Sequence, residues 1–468
     1  MSVRLALVSA VVFAAGSLMC TGSAYAQWSS PTAVAAVAPN GEHKGGVSVA
    51  RCENHLLFGF GDIETGGVGS SFAGYAISSD GGKTFHDLGV LPVSSQDSGF
   101  GTDQLGGGGN PNMPNTAGPS LGCFNVGYTF YYATTAISKN DPQGCGAPVC
   151  SAIALSTSNT PFGNQDRGVT WGLPQFVARG PITNHDLNSP SLAVFNDTLY
   201  LAYVETNIAP LDSDFSFSEC QGSKTTEIRL AISGDDGTTW QNFILDHSCD
   251  VSSDPERQGA LVAPKVAFDL GSNVFVTYEF QASAGRANEI RLVTSLDEGN
   301  TFGAPKVVST NAALNAFPQV ALDPSQTEFF GTVYMTWSGA SASGGSTEVL
   351  FVDSFDQGAS FSAPQPISEI PHGVQSNQVL DTTFLGELAA CFYSRPDQAV
   401  PSNLSSYTCA TSLSQGTTWQ TQQLATNVPS GFGTVTRDMQ LDTGGLIAAF
   451  EANSKNGRTV MATVNPQD

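Results

Sequence analysis

Arginines set beside acids are the residues of this chain best suited to hold a polar ligand. Arg257 adjoins Glu256 and lies near Asp254, Arg437 adjoins Asp438, Arg395 follows Tyr393, and Arg286 stands in a stretch of small residues. A guanidinium presents a planar fork of donors that fits a carboxylate or neighbouring hydroxyls. Glu205, Glu279 and Glu451 end runs of alternating apolar residues, and Asp62 ends a fourth run in register with Glu205. Two such carboxyls across a mouth can serve as general acid and general base on a glycosidic bond. His43, His185 beside Asp186, His247 and His372 fall in polar stretches between apolar runs. Histidines gathered at one point can bind a metal or act as a base. Each residue also has a plainer use, since an arginine can neutralise a neighbouring acid and a loop histidine can simply be solvated.

What must position these groups is visible in a recurring octapeptide, Ser-x-Asp-x-Gly-x-Thr-aromatic. Ser78 to Phe85, Ser233 to Trp240 and Ser295 to Phe302 match it fully, and Ser354 to Phe361 has Ser360 for Thr. Asn164 to Trp171 lacks the leading Ser, and Ser412 to Trp419 has Ser414 in place of Asp. Roughly 60 to 85 residues separate one copy from the next, a period that reads as a propeller or repeat array rather than one globular core. An Asp carboxylate in a tight turn accepts backbone N–H groups, Gly supplies a positive φ, and the aromatic residue buries itself at the start of the next strand.

These octapeptides resemble the Asp-box, or BNR repeat, of the sialidase superfamily of β-propellers and its non-sialidase relatives. The resemblance spans nearly all of the chain after its first 26 residues. It implies that each box joins the third and fourth strands of a blade, on the face opposite the active site. Family sialidases hold a substrate carboxylate with three arginines, the first in a Phe/Tyr-Arg-Ile-Pro motif. They use a Tyr activated by Glu as nucleophile and an Asp as acid/base. Here the corresponding opening is Gly45-Gly46-Val47-Ser48-Val49, without the Arg, and Arg51 comes too late in the strand. The blade openings Val47, Pro119, Pro190, Pro264, Pro318, Asn377 and Arg437 include no Tyr. The family position of the acid/base falls in GFGDIETGG, which offers Asp62 and Glu64. The departures point away from a true sialidase and toward a sialidase-like glycan hydrolase. A non-catalytic glycan- or protein-binding module and a polysaccharide lyase are the alternatives.

Strand patterns predict an all-β fold. First strands open on Pro (PSLGCF, PSLAVF, PKVAFD, PQVALD), second strands alternate β-branched and aromatic residues, and fourth strands begin aromatic-x-x-Pro. Trp28-Ser29-Ser30-Pro31 carries that fourth-strand signature with no box before it, and only three strands remain after the sixth box. The expectation is a seven-bladed β-propeller, with residues 28 to 35 as the outer strand of the last blade, which removes exposed edges. Six blades is the competing count. Long uneven loops at 90 to 118, 133 to 152, 205 to 227 and 246 to 263 place a site on the face away from the boxes. The candidate catalytic residues are Glu256, Asp62 and Glu64. Arg437, Arg257, Arg395, His185 and Asp186 are the candidates for holding substrate. Arg437 stands where four other blades open on Pro.

Residues 1 to 26 combine Arg4, an apolar run from Leu5 to Met19 and Ala24-Tyr25-Ala26, which reads as a secretory signal ahead of a single domain at 27 to 468. The remaining cysteines form an even set suited to disulfides in an exported chain. Cys145 with Cys150 and Cys391 with Cys409 are local closures, and Cys220 with Cys249 and Cys52 with Cys123 follow by elimination. No CxxC spacing points to zinc, and no cofactor or metal is expected. The formal charge of −23 argues against nucleic acid, anionic membranes and most polyanionic polysaccharides. A carbohydrate or glycoconjugate is the expected partner, in the secreted or periplasmic space.

Overall fold

The computed structural model describes residues 27–35, 43–63, 71–91, 104–105, 118–124, 129–139, 145–147, 149–158, 169–195, 197–208, 217–220, 223–283, 285–325, 327–340, 346–368, 373–383, 385–396, 404–428, 440–442, 445–454 and 457–465. The fold is all-β. Its only helices among these residues are two 3-10 turns, Ser218–Cys220 and Pro255–Arg257. Among the described residues, no helix is long and apolar enough to cross a membrane.

The strands form successive antiparallel meanders. β1 is Thr32–Ala33. The first meander is β2 (His43–Cys52), β3 (His55–Ile63), β4 (Ser71–Ser78) and β5 (His86–Val90). A short β6 (Gln104–Leu105) precedes the second: β7 (Ser120–Phe124), β8 (Thr129–Lys139), β9 (Val149–Thr157) and β10 (Gln175–Pro181). The third is β11 (His185–Phe195), β12 (Thr198–Asn207), β13 (Thr225–Ser233) and β14 (Gln241–Cys249). The fourth is β15 (Gly259–Phe268), β16 (Val274–Ala282), β17 (Asn288–Ser295) and β18 (Lys306–Ala312). Next come β19 (Gln319–Leu322), β20 (Val333–Ala340), β21 (Thr347–Ser354) and β22 (Gln365–Pro366). Then follow β23 (Val374–Thr382), β24 (Leu388–Arg395), β25 (Ser405–Ser412) and β26 (Gln420–Val428). The chain closes with β27 (Gln440–Asp442), β28 (Gly445–Ser454) and β29 (Gly457–Asn465). β29 takes β1 as its antiparallel neighbour, with Thr32 opposite Ala462 and Ala33 opposite Met461.

Apolar cores lie between successive meanders. Leu57, Tyr75 and Ile77 pack on Phe130, Tyr132 and Ala154, and Tyr131, Ile153 and Leu155 pack on Leu199, Leu201 and Tyr203. Val204, Ile228 and Leu230 meet Val276, Tyr278 and Phe280. The last core joins chain ends, as Ile447, Ala449, Val460 and Ala462 pack on Val47, Val49, Leu56 and Phe58, with Val34 and Ala35 among them. Trp28 is buried with Tyr393, Tyr407 and Phe450, and its main chain exchanges hydrogen bonds with the Gln422 side chain.

The octapeptide turns are built as their residues require. In Ser295 to Phe302, Asp297 Oδ1 accepts the Thr301 N–H at 2.8 Å and Oδ2 accepts the Thr301 hydroxyl at 2.6 Å. Ser295 Oγ accepts the Gly299 N–H at 2.9 Å and donates to Asp297. The turns at Asp80, Asp235 and Asp356 repeat the Asp contacts, and Ser414 Oγ takes the Asp role toward Thr418. The turn glycine is doubly constrained. Gly416 has φ +87°, and a Cβ there would lie 2.2 Å from Phe351 of the preceding meander. Cys52–Cys123, Cys145–Cys150, Cys220–Cys249 and Cys391–Cys409 are all bonded, as the sequence led us to expect.

Candidate functional site

Each octapeptide follows the third strand of its meander, so residues at the start of β13 or the end of β12 lie at the opposite end of the sheet. His185, Glu205, Glu227 and Arg229 meet there. Register places Glu205 of β12 directly opposite Glu227 of β13, and Tyr203 opposite Arg229. These side chains point toward β8 to β10, because Leu201 and Tyr203 on the same face pack against Tyr131 and Leu155. Arg229 bridges the two acids, with Nε 2.6 Å from Glu205 Oε2 and Nη2 2.7 Å from Glu227 Oε2. His185 Nδ1 lies 3.0 Å from Glu205 Oε1. It packs on Gly180 of β10, where any larger side chain would collide with the ring.

Glu227 is only 1% exposed. Its contact with Arg229 is short but not aligned as a hydrogen bond, so neither carboxyl oxygen is satisfied by one. Burial is the dominant influence, and it pushes the Glu227 carboxyl up to about 7 against the pull of Arg229. The same burial, followed by the charge of Glu205, raises the Tyr203 phenol. A carboxyl that exchanges a proton near neutrality thus sits beside a second one clamped by a guanidinium and an imidazole.

The next meander repeats the motif with different partners. Glu289 and Arg291 of β17 correspond to Glu227 and Arg229, and Arg291 reaches back to Asp246 of β14 at 3.0 Å and to Glu289 at 2.8 Å. Arg291 also lies over the Phe280 ring. Asp246 is buried, accepts the Tyr278 hydroxyl at 2.8 Å and pairs with Arg257. Arg257 therefore engages an acid eleven residues earlier rather than its neighbour Glu256. Burial, then the charge of Asp246, holds the Tyr278 phenol well above its ordinary range.

The other sequence candidates fall as follows. Glu256 has an exposed side chain, and its role in the network is main-chain, its carbonyl accepting from Arg291 at 3.1 Å. Asp186 is buried and accepts from Asn188 at 3.2 Å, and burial raises its carboxyl. Arg395 ends β24 opposite Val374 and is half-buried. Arg286 bonds the Pro255 carbonyl and lies 3.6 Å from Glu289. His247 stacks on Phe217 with ring centroids 3.7 Å apart and places Nε2 2.6 Å from Glu219. Asp62 pairs through its backbone with Lys44 and Phe72. The Asp62 and His43 side chains, and all of Glu64, His372 and Arg437, lie outside the described residues.

Two carboxylates grouped with Glu205 on sequence sit one step earlier in register and face the other side. Glu279 pairs with Val262 just before a bulge, the place that Val204, not Glu205, holds in β12. Its oxygens accept the N–H groups of Asn315 at 3.0 Å and Ala316 at 2.6 Å and the Gln281 amide at 3.0 Å. Burial still pushes this carboxyl up to about 7. Glu451 likewise accepts the N–H of Gly46 at 3.0 Å. Both are staples between meanders.

Glu227, Arg229, Asp246, Glu289, Arg291 and Tyr278 were not singled out from sequence. The signal was present in TEIRLAIS and NEIRLVTS, where Glu-x-Arg recurs at the same distance before the turn. Among the described residues, no group of three or more His, Cys, Asp or Glu could hold a metal ion.

No protein-family model matches the chain, and no curated protein matches it. Among solved structures it is similar to a protein of unknown function from Dyadobacter fermentans DSM 18053, at 13% identity and TM-score 0.48, over 94% of this chain and 99% of that one. It is similar to the GH93 α-L-arabinofuranosidase of Fusarium graminearum in complex with arabinobiose, at 15% identity and TM-score 0.47, over 94% and 98%. It is also similar to Trypanosoma rangeli sialidase in complex with sialic acid, at 10% identity and TM-score 0.47, over 90% of this chain and 54% of that one.

Proposed function

We propose that the chain is an exported, seven-bladed Asp-box β-propeller that hydrolyses a neutral or weakly charged glycan at the end away from its Asp-box turns. In this reading residues 1 to 26 are a signal peptide, 27 to 468 are one domain, and β1 closes the last blade. The observation that carries the chemistry is the His185–Glu205–Arg229–Glu227 cluster. Two acids share one guanidinium, and one of them is raised to about 7. Pairs of carboxyls with unlike environments are how acid and base roles are divided on a glycosidic bond. Glu227 is the proton donor. Glu205, oriented by His185 and Arg229, is the carboxylate that supports positive charge at the sugar or activates water. Around the same mouth, Arg437, Arg257, Arg395 and Asp186 hold substrate, and Asp62, Glu64 and Glu256 are further acids within the proposal. The charge of −23 favours substrates that are not polyanions.

The test is turnover across neutral, sialylated and uronate glycans, with Glu227→Gln as the variant. Loss of general-acid catalysis should lower kcat about 100-fold or more on a substrate with a poor leaving group, with melting unchanged or raised. A second reading, a non-catalytic glycan- or protein-binding propeller, is favoured by the Asp246–Arg291–Glu289–Arg257 network, which commits two arginines to acids of the same chain. Binding without turnover by any glycan in the screen establishes that reading instead.

A further inference from the structure

The end of the molecule that carries the octapeptide turns has no part in the chemistry above, yet it exposes large apolar side chains in a regular arc. The second position of three successive octapeptides is apolar and exposed: Leu296 at 58%, Phe355 at 65% and Leu413 at 43%. The turns from first to second strand in the same three meanders add Leu270, Phe330 and Leu385, the last 75% exposed. The turns abut one another. Gly331 borders Asp269 of the preceding turn, Gly386 borders Asp323, and the Phe329 and Phe355 rings lie 6.2 Å apart. At the inner edge of this arc a cavity of about 270 Å³ opens, lined in part by Leu270, Asp323 and Asp381. Soluble proteins rarely leave so many large apolar side chains together without a partner.

The charge of this arc is one-sided. Residues 269–273, 296–301, 323–332, 355–360, 383–387 and 413–418 contain Asp269, Asp297, Glu298, Asp323, Glu328, Asp356 and Glu387 and no Lys, Arg or His. Asp297, Glu298, Glu328 and Asp356 are exposed. Among the described residues, Lys306 faces the arc with its ammonium held by the Gly358 and Ala359 carbonyls, and Lys265 lines the cavity at its inner edge. We propose that this face docks a polypeptide partner that is basic and apolar, its aliphatic or aromatic side chains covering the arc and its lysines or arginines meeting the acidic turns. A second copy of this chain would bring another net charge of −23 against the same acids, and an anionic lipid surface would be repelled likewise.

The probe is a synthetic 14-residue peptide of alternating leucine and lysine, with serine–lysine and leucine–glutamate peptides as controls. Binding is followed by fluorescence anisotropy of the labelled peptide at low and at physiological salt. The expected result is binding of the leucine–lysine peptide alone, weakened at least tenfold in Leu296→Ser/Phe355→Ser/Leu413→Ser, with melting of that variant unchanged. A Leu173→Ser variant, altering an exposed leucine outside the arc, should bind as the parent does. Equal binding by the serine–lysine peptide, or no loss in the triple variant, overturns the proposal. So does self-association in sedimentation, or association with phosphatidylserine vesicles, that the triple variant abolishes. None of these readouts depends on glycan turnover.

Discussion

Glu227 gives the residue scale its sharpest expectations. A carboxyl raised to about 7 in the folded chain and near 4.5 when unfolded binds its proton more tightly when folded. Its stabilising influence is therefore complete below pH 4.5 and is lost as pH rises toward 7. Glu279 acts in the same direction over the same window. Stability should fall from about pH 5 to pH 7.5, and Glu227→Gln should remove a part of that slope worth roughly 2 kcal/mol. Urea titrations at closely spaced pH values measure it, and a slope unchanged in the variant places the proton elsewhere. Arg229→Met should raise the Glu227 carboxyl further and destabilise by about 3 kcal/mol or more, since both acids would lose their shared cation; denaturant midpoints of Arg229→Met and Arg229→Lys check it. Sequence exposed His185 and Glu205 but not their partners. An acid-arginine pair spaced i, i+2 on a strand looks like ordinary alternation until register sets it opposite another acid.

At the scale of the element, the octapeptide turn was legible to its individual hydrogen bonds, because Asp, Gly and Thr at fixed offsets leave few other ways to turn. Its glycine does more than turn, which the sequence did not disclose. Gly82 and Gly416 share a positive φ, but a Cβ would meet Val464 at 3.1 Å in the first and Phe351 at 2.2 Å in the second. Gly416→Ala should therefore cost about 2 to 4 kcal/mol and Gly82→Ala distinctly less. Thermal unfolding of the two separates backbone strain, common to both, from the contact between meanders. The one-step offset of Glu279 from Glu205 was likewise missed, since it shows only when each is counted from the residue opposite its octapeptide serine, Leu199 opposite Ser233 and Val274 opposite Ser295.

At the scale of the whole molecule, the repeat fixed the order of the meanders, and Trp28 with its Ser-Ser-Pro sequel showed where the first residues belong. Removing residues 27 to 35 takes Trp28, Val34 and Ala35 out of two cores and removes β1 from the edge of β29, which keeps β28. The loss should be on the order of 5 kcal/mol and lower the melting temperature by roughly 5 to 10 °C. Calorimetry of the truncated chain, with no change in melting as the contrary outcome, decides it. Sequence put the long loops between the right strands but drew them too wide, since β8 runs to Lys139, β9 starts at Val149 and β15 starts at Gly259. Their chemistry was not legible, because residues meeting across meanders are tens of positions apart. The seam at β29 and β1 also has a consequence in time. Ser29 and Val34 bond to Val464 and Val460 of β29, a strand made long after them. Val47, Val49 and Phe58 therefore lack the cover of Ile447, Ala449, Val460 and Ala462 until β28 and β29 are made. A chain stalled or cut before β28 would carry that apolar flank bare, so the protein should depend on holding factors most until those two strands pair.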